Sequence, residues 1–377
     1  MIGEIVIEAI GSVFEVAFDV AWDVAKRRVR KAKNQQQIQK AAQIINDGGL
    51  VAFPTETVYG LGANAKDARA VSRIYTMKER PTDNPLIIHI HKKEQLYELT
   101  NHLPEYASDL AAAYWPGPLT LIVNKQPDLP SWFGGSPTHT TKTVGVRMPN
   151  HPTALALIEA SGCFIAAPSA NKAGKPSPTM ASHLREDYTK AELEDIFILE
   201  GQSINVGIES TVVDCTANVP VILRPGAITP EMIKKTTKLQ PIVRTLSADK
   251  HAPRSPGMKY RHYAPKAPMT VVRGDAEHVV KYIQQQLDGF ESSYTSVGVL
   301  IMDTVVPEAY KQLPDSVKVL AIGTDQEIIA QKLYAGFRRF DALGVDVIFA
   351  EATTDHGIGI AIMDRMIKAA EGCVVDV

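Results

Sequence analysis

Apolar residues recur at helical spacing at Ile38, Ala41, Ala42 and Ile45, which predicts a helix over 35–46 that the Gly48-Gly49 pair stops. The continuous apolar run Leu50–Phe53 then predicts a buried strand, and Pro54–Gly60 a polar turn. Further helices are predicted over Ala68–Met77, Lys93–Thr100, Leu103–Tyr114 and Ala154–Ala160. Strands are predicted at Leu86–Ile90, Leu119–Val123, Thr143–Arg147, Cys163–Ala167, Ile196–Leu199, Ser210–Asp214 and Val221–Leu223. Pro127–Thr141 reads as a loop, and Pro230–Lys238 as a closing helix. This mixture predicts an α/β domain on a mixed, twisted sheet over 36–240.

Apolar periodicity lapses over 241–268, a linker whose centre is rich in Lys, Arg, Tyr and His. Strand and helix then alternate. Strands are expected at Met269–Val272, Val297–Met302, Val317–Ala321 and Val345–Glu351, and helices at Ala276–Gln286, Asp325–Asp341 and Gly357–Lys368. That alternation predicts a small, parallel, Rossmann-like domain over 269–377. Residues 1–35 read as an extension outside both domains. Five acids interrupt its apolar stretch, and the basic run Lys26–Lys33 follows that stretch, unlike the order in a secretory signal.

Composition narrows the function classes. The chain has 377 residues, 45% of them hydrophobic, enough for two self-sufficient cores. Its three cysteines (Cys163, Cys215 and Cys373) show no C-x-x-C spacing, which argues against a disulfide framework or a cysteine zinc site. A reducing, cytoplasmic setting is expected. With 42 acidic and 40 basic residues the formal net charge is -2, so any nucleic-acid contact needs a local patch. No apolar run reaches 18 residues, and no membrane association is expected.

The common nucleotide motifs are missing. There is no G-x-x-x-x-G-K-[ST] loop, and Gly60–Ala65 fits G-x-G-x-x-A without the acid expected about 20 residues on. Polar turns next to strands carry the chemistry instead, where open sheets bind ligands. Thr55 and Thr57 offer hydroxyls that both donate and accept. Lys78 and Arg80 form a point charge and a planar fork suited to polyphosphate. Arg147 ends an apolar strand, as a clamp for a carboxylate or phosphate would. Ala167-Pro168-Ser169-Ala170-Asn171 has side chains small enough for close ligand approach, and Glu209-Ser210-Thr211 and Arg224-Pro225-Gly226 add further polar turns. Each turn alone also reads as a cap or a solvated surface. Together they give four cations, several hydroxyls and no evident general base.

As a set these turns resemble the long-form threonylcarbamoyl-AMP synthase family, which carries an N-terminal YrdC-type domain. The matching stretches are GGLVAFPTETVYGLGANA at 48–65, IYTMKERPTDNPLIIHI at 74–90, WPGPLT at 115–120 and TVGVRMPNHP at 143–152. They continue with IAAPSANKAGKPSPT at 165–179, GIESTVVD at 207–214 and LRPGAIT at 223–229, and SPGMKYRHYAP at 255–265 is similar to the long form's linker. The resemblance runs from about residue 36 to the end.

The resemblance implies that threonine and bicarbonate condense to N-carboxy-threonine, which ATP adenylates with release of pyrophosphate. Partner proteins then transfer the threonylcarbamoyl group to an adenosine of tRNA. It assigns catalysis to Lys78, Arg80, Ser169 and Asn171. Threonine contacts fall to Thr55, His89, Arg147, Ala167 and Ser210. ATP contacts fall to Lys78, Arg80, Asn84, Thr143, Ser169, Ser177, Arg224 and Tyr260, with the linker over 241–268 folding across the nucleotide. Mg²⁺ is expected on the triphosphate, with no metal cage from the protein. Glu209 reads equally as a metal ligand or as a buried partner for a basic residue. The alternatives are a non-catalytic module that grips double-stranded RNA or tRNA, and a regulatory ATP-binding factor.

Overall fold

The structure, a computed structural model, describes residues 33–244, 262–289 and 296–377. The extension over 1–32 and most of the linker, Tyr260 included, lie outside the described residues.

The first domain is built on a ten-stranded mixed sheet. Its spatial order is Ile242–Val243, Val221–Arg224, Thr211–Asp214, Leu119–Asn124, Thr143–Arg147, Ile87–His89, Ile165–Ala167, Tyr59–Asn64, Leu50–Pro54 and Ile196–Ile198. Helix 33–46 closes one face, with Ile38, Ala41, Ala42 and Ile45 buried against Val51, Phe53, Leu157 and Ile165. The other face buries Leu61, Ile74, Ile88, Leu110 and Leu121 in a larger core.

Two local features shape the site. Pro54 pairs directly with Tyr59, so the segment that reads as a turn closes a tight hairpin. The returning strand escapes the sequence pattern because Gly60 and Gly62 break its apolar run. Gly62 is there for close packing: a Cβ on it would come within 2.7 Å of the Phe53 ring and 2.8 Å of Ile165. Helix Ala68–Lys78 starts on Asp67, whose side chain accepts from the Arg69 and Ala70 amides. It stops at Glu79, which adopts a left-handed conformation (φ 54°). Lys78 thereby ends the helix, and Arg80 begins the loop beyond it.

The second domain is an all-parallel five-stranded sheet in the order Val317–Ala321, Val297–Ile301, Val347–Glu351, Met269–Arg273 and Val374–Asp376. The last strand lies beyond the elements that the periodicity predicts. Helices Gln326–Leu343 and Gly359–Ala369 cover the face turned to the first domain. Val58 and Ile208, from the first domain, are buried among Tyr263, Tyr334 and Phe337 in the second domain's core. The two domains therefore share apolar packing directly beside the Pro54–Gly60 and Gly207–Thr211 turns.

Candidate active site

A cleft of about 570 Å³ opens where these turns converge, lined by Thr55, Thr57, Arg80, Arg147, Ser169, Asn171 and Arg224 among others. The first-domain residues come from seven segments far apart in sequence. Strand ends and turns bring them together.

On one side lie the cations. Lys78 is fully buried, and its ammonium donates to the Asn171 main-chain carbonyl. Burial, with Arg80 nearby, holds its pKa well below the ordinary lysine value. Arg80 donates from Nε to the Asn84 carbonyl at 3.1 Å. Its Nη2 donates to Asn84 Oδ1 at 2.7 Å and to the Pro85 carbonyl at 2.8 Å. The Asn84 loop thus fixes the plane of the guanidinium. The Ser169 hydroxyl donates to Asn171 Oδ1 at 2.6 Å, and Asn171 Nδ2 donates to the Lys172 and Lys175 carbonyls at 2.8 and 2.9 Å. Arg224 donates to the Ser210 carbonyl at 3.0 Å and to Ser210 Oγ at 3.1 Å.

On the other side, Arg147 Nη1 donates to Thr57 Oγ1 at 3.0 Å, and Thr57 is 2.8 Å from Thr55 Oγ1. Arg147 Nη2 sits 2.8 Å from Glu56 Oε2, close enough for an ion pair but not aligned as a hydrogen bond. Arg147 Nε and Nη2 therefore hold buried donors without a hydrogen-bond partner among the described residues. Such donors cost about 1–3 kcal/mol each unless something accepts from them, which suits a site for an anionic group. His89 lies edge-on to Phe53 with ring centroids 6.0 Å apart. Burial and the Arg147 charge push its pKa down to about 3. It is a neutral ring at physiological pH.

The second domain braces this cleft from behind through Glu209. Glu209 accepts from Ser177 Oγ at 2.5 Å, from Tyr334 at 2.8 Å and from Arg365 Nε at 3.0 Å. Burial would raise its pKa, but Arg365 and Arg224 outweigh that and hold it at about 2. His262 and Tyr263, at the end of the linker, form another wall. Tyr263 stacks on Tyr334, with ring centroids 5.6 Å apart.

Of the residues singled out from sequence, Thr55, Arg80, Arg147, Ala167, Ser169, Asn171 and Arg224 line the cleft. Lys78, Asn84, Ser177 and Ser210 stand one layer behind, each bonded to a residue of the lining. His89 packs behind Phe53, and its Nδ1 lies 3.2 Å from the Ile87 carbonyl oxygen. Thr143 lines a separate groove of about 1200 Å³ with Thr82, Asp83 and Lys142, and Ile87 borders both spaces. Tyr260 lies outside the described residues. Sequence reasoning missed Glu56, Tyr334 and Arg365, while His262 and Tyr263 belong to the linker expected to fold across the nucleotide. The alternation of Glu56 with Thr55 and Thr57 was a usable signal. Nothing local to Tyr334 or Arg365 points to a cleft more than 100 residues away. Among the described residues no three His, Cys, Asp or Glu side chains come together to hold a metal ion. Glu209 and Glu56 are engaged by Arg365 and Arg147 respectively.

Comparison with known proteins decides what this constellation belongs to. Residues 43–226 match the Sua5–YciO–YrdC family model, whose description is telomere recombination. Residues 228–371 match the model of the threonylcarbamoyl-AMP synthase C-terminal domain. The chain belongs to the threonylcarbamoyl-AMP synthase family. A threonylcarbamoyl-AMP synthase from Bacillus subtilis (strain 168) is 45% identical over 342 residues, 91% of this chain and 95% of that one. One from Pyrococcus abyssi is 45% identical over 346 residues, covering 91% and 96%. The crystal structure of Pyrococcus abyssi Sua5 complexed with L-threonine has the same two-domain fold. Its TM-score is 0.81 at 43% identity, over 91% of this chain and 96% of that one.

Proposed function

We infer that the chain is an L-threonylcarbamoyladenylate synthase, a nucleotidyltransferase that makes threonylcarbamoyl-AMP and pyrophosphate from L-threonine, bicarbonate and ATP. The observation that carries this reading is one cleft lined by two chemically distinct groups of side chains. Arg147, with unsatisfied buried donors beside two threonine hydroxyls, suits an α-amino acid carboxylate. Lys78, Arg80 and Arg224, with Ser169 and Asn171, suit a triphosphate.

The threonine amine adds to bicarbonate carbon, and loss of water leaves a carbamate. A carbamate oxygen then attacks the α-phosphorus, and the bond to the β-phosphate oxygen breaks to release pyrophosphate. No side chain needs to form a covalent bond. The protein aligns the carbamate with phosphorus and neutralises the charge that spreads over the phosphoryl oxygens. Neutral His89, beside Arg147, shapes the threonine end without adding a second charge. Magnesium enters with ATP as part of the substrate, held by phosphate and water. Threonylcarbamoyl-AMP is a reactive mixed anhydride, so separate transfer proteins and tRNA act downstream of it. The reaction belongs in the cytoplasm.

The test is to incubate the pure protein with MgATP and bicarbonate, with and without threonine. Threonine-dependent release of pyrophosphate is expected. A protein that binds tRNA with a steep salt dependence and releases no pyrophosphate would instead be a non-catalytic RNA-binding module. One that binds ATP but shows neither property would be a regulatory factor.

A further inference from the structure

Glu209 and Arg224 face the same small cleft, yet they do not bond to each other. Arg224 gives its hydrogen bonds to Ser210, the residue next to Glu209, and its Nη1 makes none among the described residues. A buried carboxylate this close to a buried guanidinium would ordinarily take it as a partner. Here the carboxylate is occupied from elsewhere. Ser177 donates to Oε1, while Tyr334 and Arg365 both donate to Oε2. Two of these three donors belong to the second domain.

Arg365 is itself fully buried and fixed on every side. Its Nη1 donates at 2.8 Å to both the Pro225 carbonyl and Asp364 Oδ2, and Nη2 donates to the Glu209 carbonyl at 3.4 Å. Pro225 follows Arg224 directly, so Arg365 grips both the acid and the main chain next to the cation. Lys368 Nζ donates to the same Asp364 oxygen, Oδ2, at 2.8 Å. Glu209, Asp364, Arg365 and Lys368 thus balance to zero charge. Lys78, Arg80 and Arg224 make no salt bridge among the described residues and stand around the cleft.

On the strength of the synthase reading, we propose that Arg365 of the second domain is a positioning residue for ATP: it keeps the Glu209 carboxylate neutralised, which leaves Arg224 available to the triphosphate. Arg365 does not line the cleft and acts through its two neighbours. Without it, Glu209 either turns to Arg224 or stands as an unpaired negative charge beside the incoming phosphates. Both outcomes weaken ATP binding. Neither touches Arg147 or the Thr55 and Thr57 hydroxyls. The second domain thereby sets the charge of a pocket whose lining comes largely from the first.

The test uses the full-length chain. Calorimetry gives Kd for MgATP alone, and pyrophosphate release gives kcat and the two KM values. Arg365→Gln is expected to raise Kd and KM for ATP about tenfold or more while threonine KM stays within about twofold. Arg365→Lys should fall between this variant and the unaltered protein. Adding Glu209→Gln to Arg365→Gln removes the orphaned charge and should recover most of the lost ATP affinity. An unchanged ATP Kd in Arg365→Gln overturns the proposal. So does a parallel rise in both KM values, or failure of Glu209→Gln to restore ATP binding. Should Arg365→Gln not fold, Tyr334→Phe removes one hydroxyl from Glu209 Oε2 and is expected to raise ATP Kd severalfold, with no change again counting against the proposal. Absence of threonine-dependent turnover in the unaltered protein would defeat the synthase reading, while the ATP Kd series would still judge Arg365 by itself.

Discussion

Arg147 and Glu56 form a buried ion pair, Nη2 to Oε2 at 2.8 Å, in which Arg147 keeps donors that Glu56 does not satisfy. The pair explains how an arginine can be held ready inside the protein for an anionic substrate. Glu56 supplies charge balance, and Thr57 fixes the plane of the fork through Nη1. Arg147→Lys keeps the charge but loses the fork. A charge-assisted hydrogen bond lost to the threonine carboxylate costs about 1.5–3 kcal/mol, so threonine KM should rise roughly 10–150-fold. ATP KM should stay within about twofold. The check is pyrophosphate release with each substrate varied in turn. Equal rises in both constants would remove Arg147 from the threonine end.

The buried Lys78 ammonium makes a prediction about protons. Burial first, and Arg80 second, hold its pKa well below the ordinary 10.5. A triphosphate arriving beside it favours the charged form and raises that pKa again. ATP binding at mildly alkaline pH should therefore be accompanied by net proton uptake. Calorimetry in buffers of different ionisation enthalpy measures this uptake directly. Lys78→Met should abolish it and lower turnover. Proton release on binding, or the same uptake in Lys78→Met, would rule out Lys78 as the group responsible.

Much of this site was legible because its residues sit in short, dense turns. Lys78 and Arg80, Ser169 and Asn171, and Arg147 at a strand end each announce a polar group beside buried apolar sequence. The hairpin strand Tyr59–Asn64 was not legible. Its Gly62 serves packing against Phe53 and Ile165, a reason that exists only once three strands are assembled. Arg365 reads as one polar position on an amphipathic helix. Its partner Glu209 lies 156 positions away, and no local pattern encodes that pairing. Glu209 itself was ambiguous between metal ligand and ion-pair partner, and the geometry joins it to Arg365, Tyr334 and Ser177.

Substrate selection should follow from the hydroxyls at the threonine end. Serine retains the substrate hydroxyl and loses one methyl group, which costs about 1–3 kcal/mol. Valine keeps the shape but leaves a buried polar group of the site unpaired, so it should be rejected more strongly. The expected order in kcat/KM is threonine, then serine, then valine. Equal turnover of valine and threonine would show that the Thr55–Thr57 end does not read the hydroxyl.

Two buried histidines and one half-buried one predict an acid-side loss of stability that begins early. His89, His183 and His262 are pushed down to about 3, 4 and 3, first by burial and then by Arg147, Arg338 and Arg80 respectively. Each is depressed from the ordinary 6.5, so below that pH the unfolded chain binds protons the folded protein refuses. Stability is fully present above 6.5 and falls as pH drops towards 4. Each histidine contributes about 1.4 kcal/mol per pH unit inside that window. Urea midpoints should therefore decline between pH 7.5 and 5.5. His183→Gln, which can still accept from the Thr179 amide, should flatten the slope. A midpoint unchanged across that range would mean that these rings are protonated in the folded state.

Gly207 offers the sharpest test of how the domains are joined. It sits at φ +81°, and a Cβ there would come 2.2 Å from the Gln331 Cα and 2.5 Å from the Ala330 carbonyl oxygen. Those are main-chain atoms of helix Gln326–Leu343, so no side-chain rotation relieves the overlap. The same helix holds the loop through Gln331, whose Nε2 donates to the Ile204 carbonyl at 2.8 Å. Gly207→Ala combines a left-handed backbone penalty with overpacking, roughly 2–6 kcal/mol together. It should push the helix off the Ile204–Glu209 loop and weaken the hydrogen bond between Tyr334 and Glu209. Gly162 is the control, because it has φ +66° but nothing within 4 Å of its would-be Cβ. Gly162→Ala meets the backbone penalty alone, about 1–2 kcal/mol. Urea unfolding of both variants separates the two contributions, and ATP affinity should fall only in Gly207→Ala. Matching small losses in the two proteins would mean that the domains are not pressed together at Gly207.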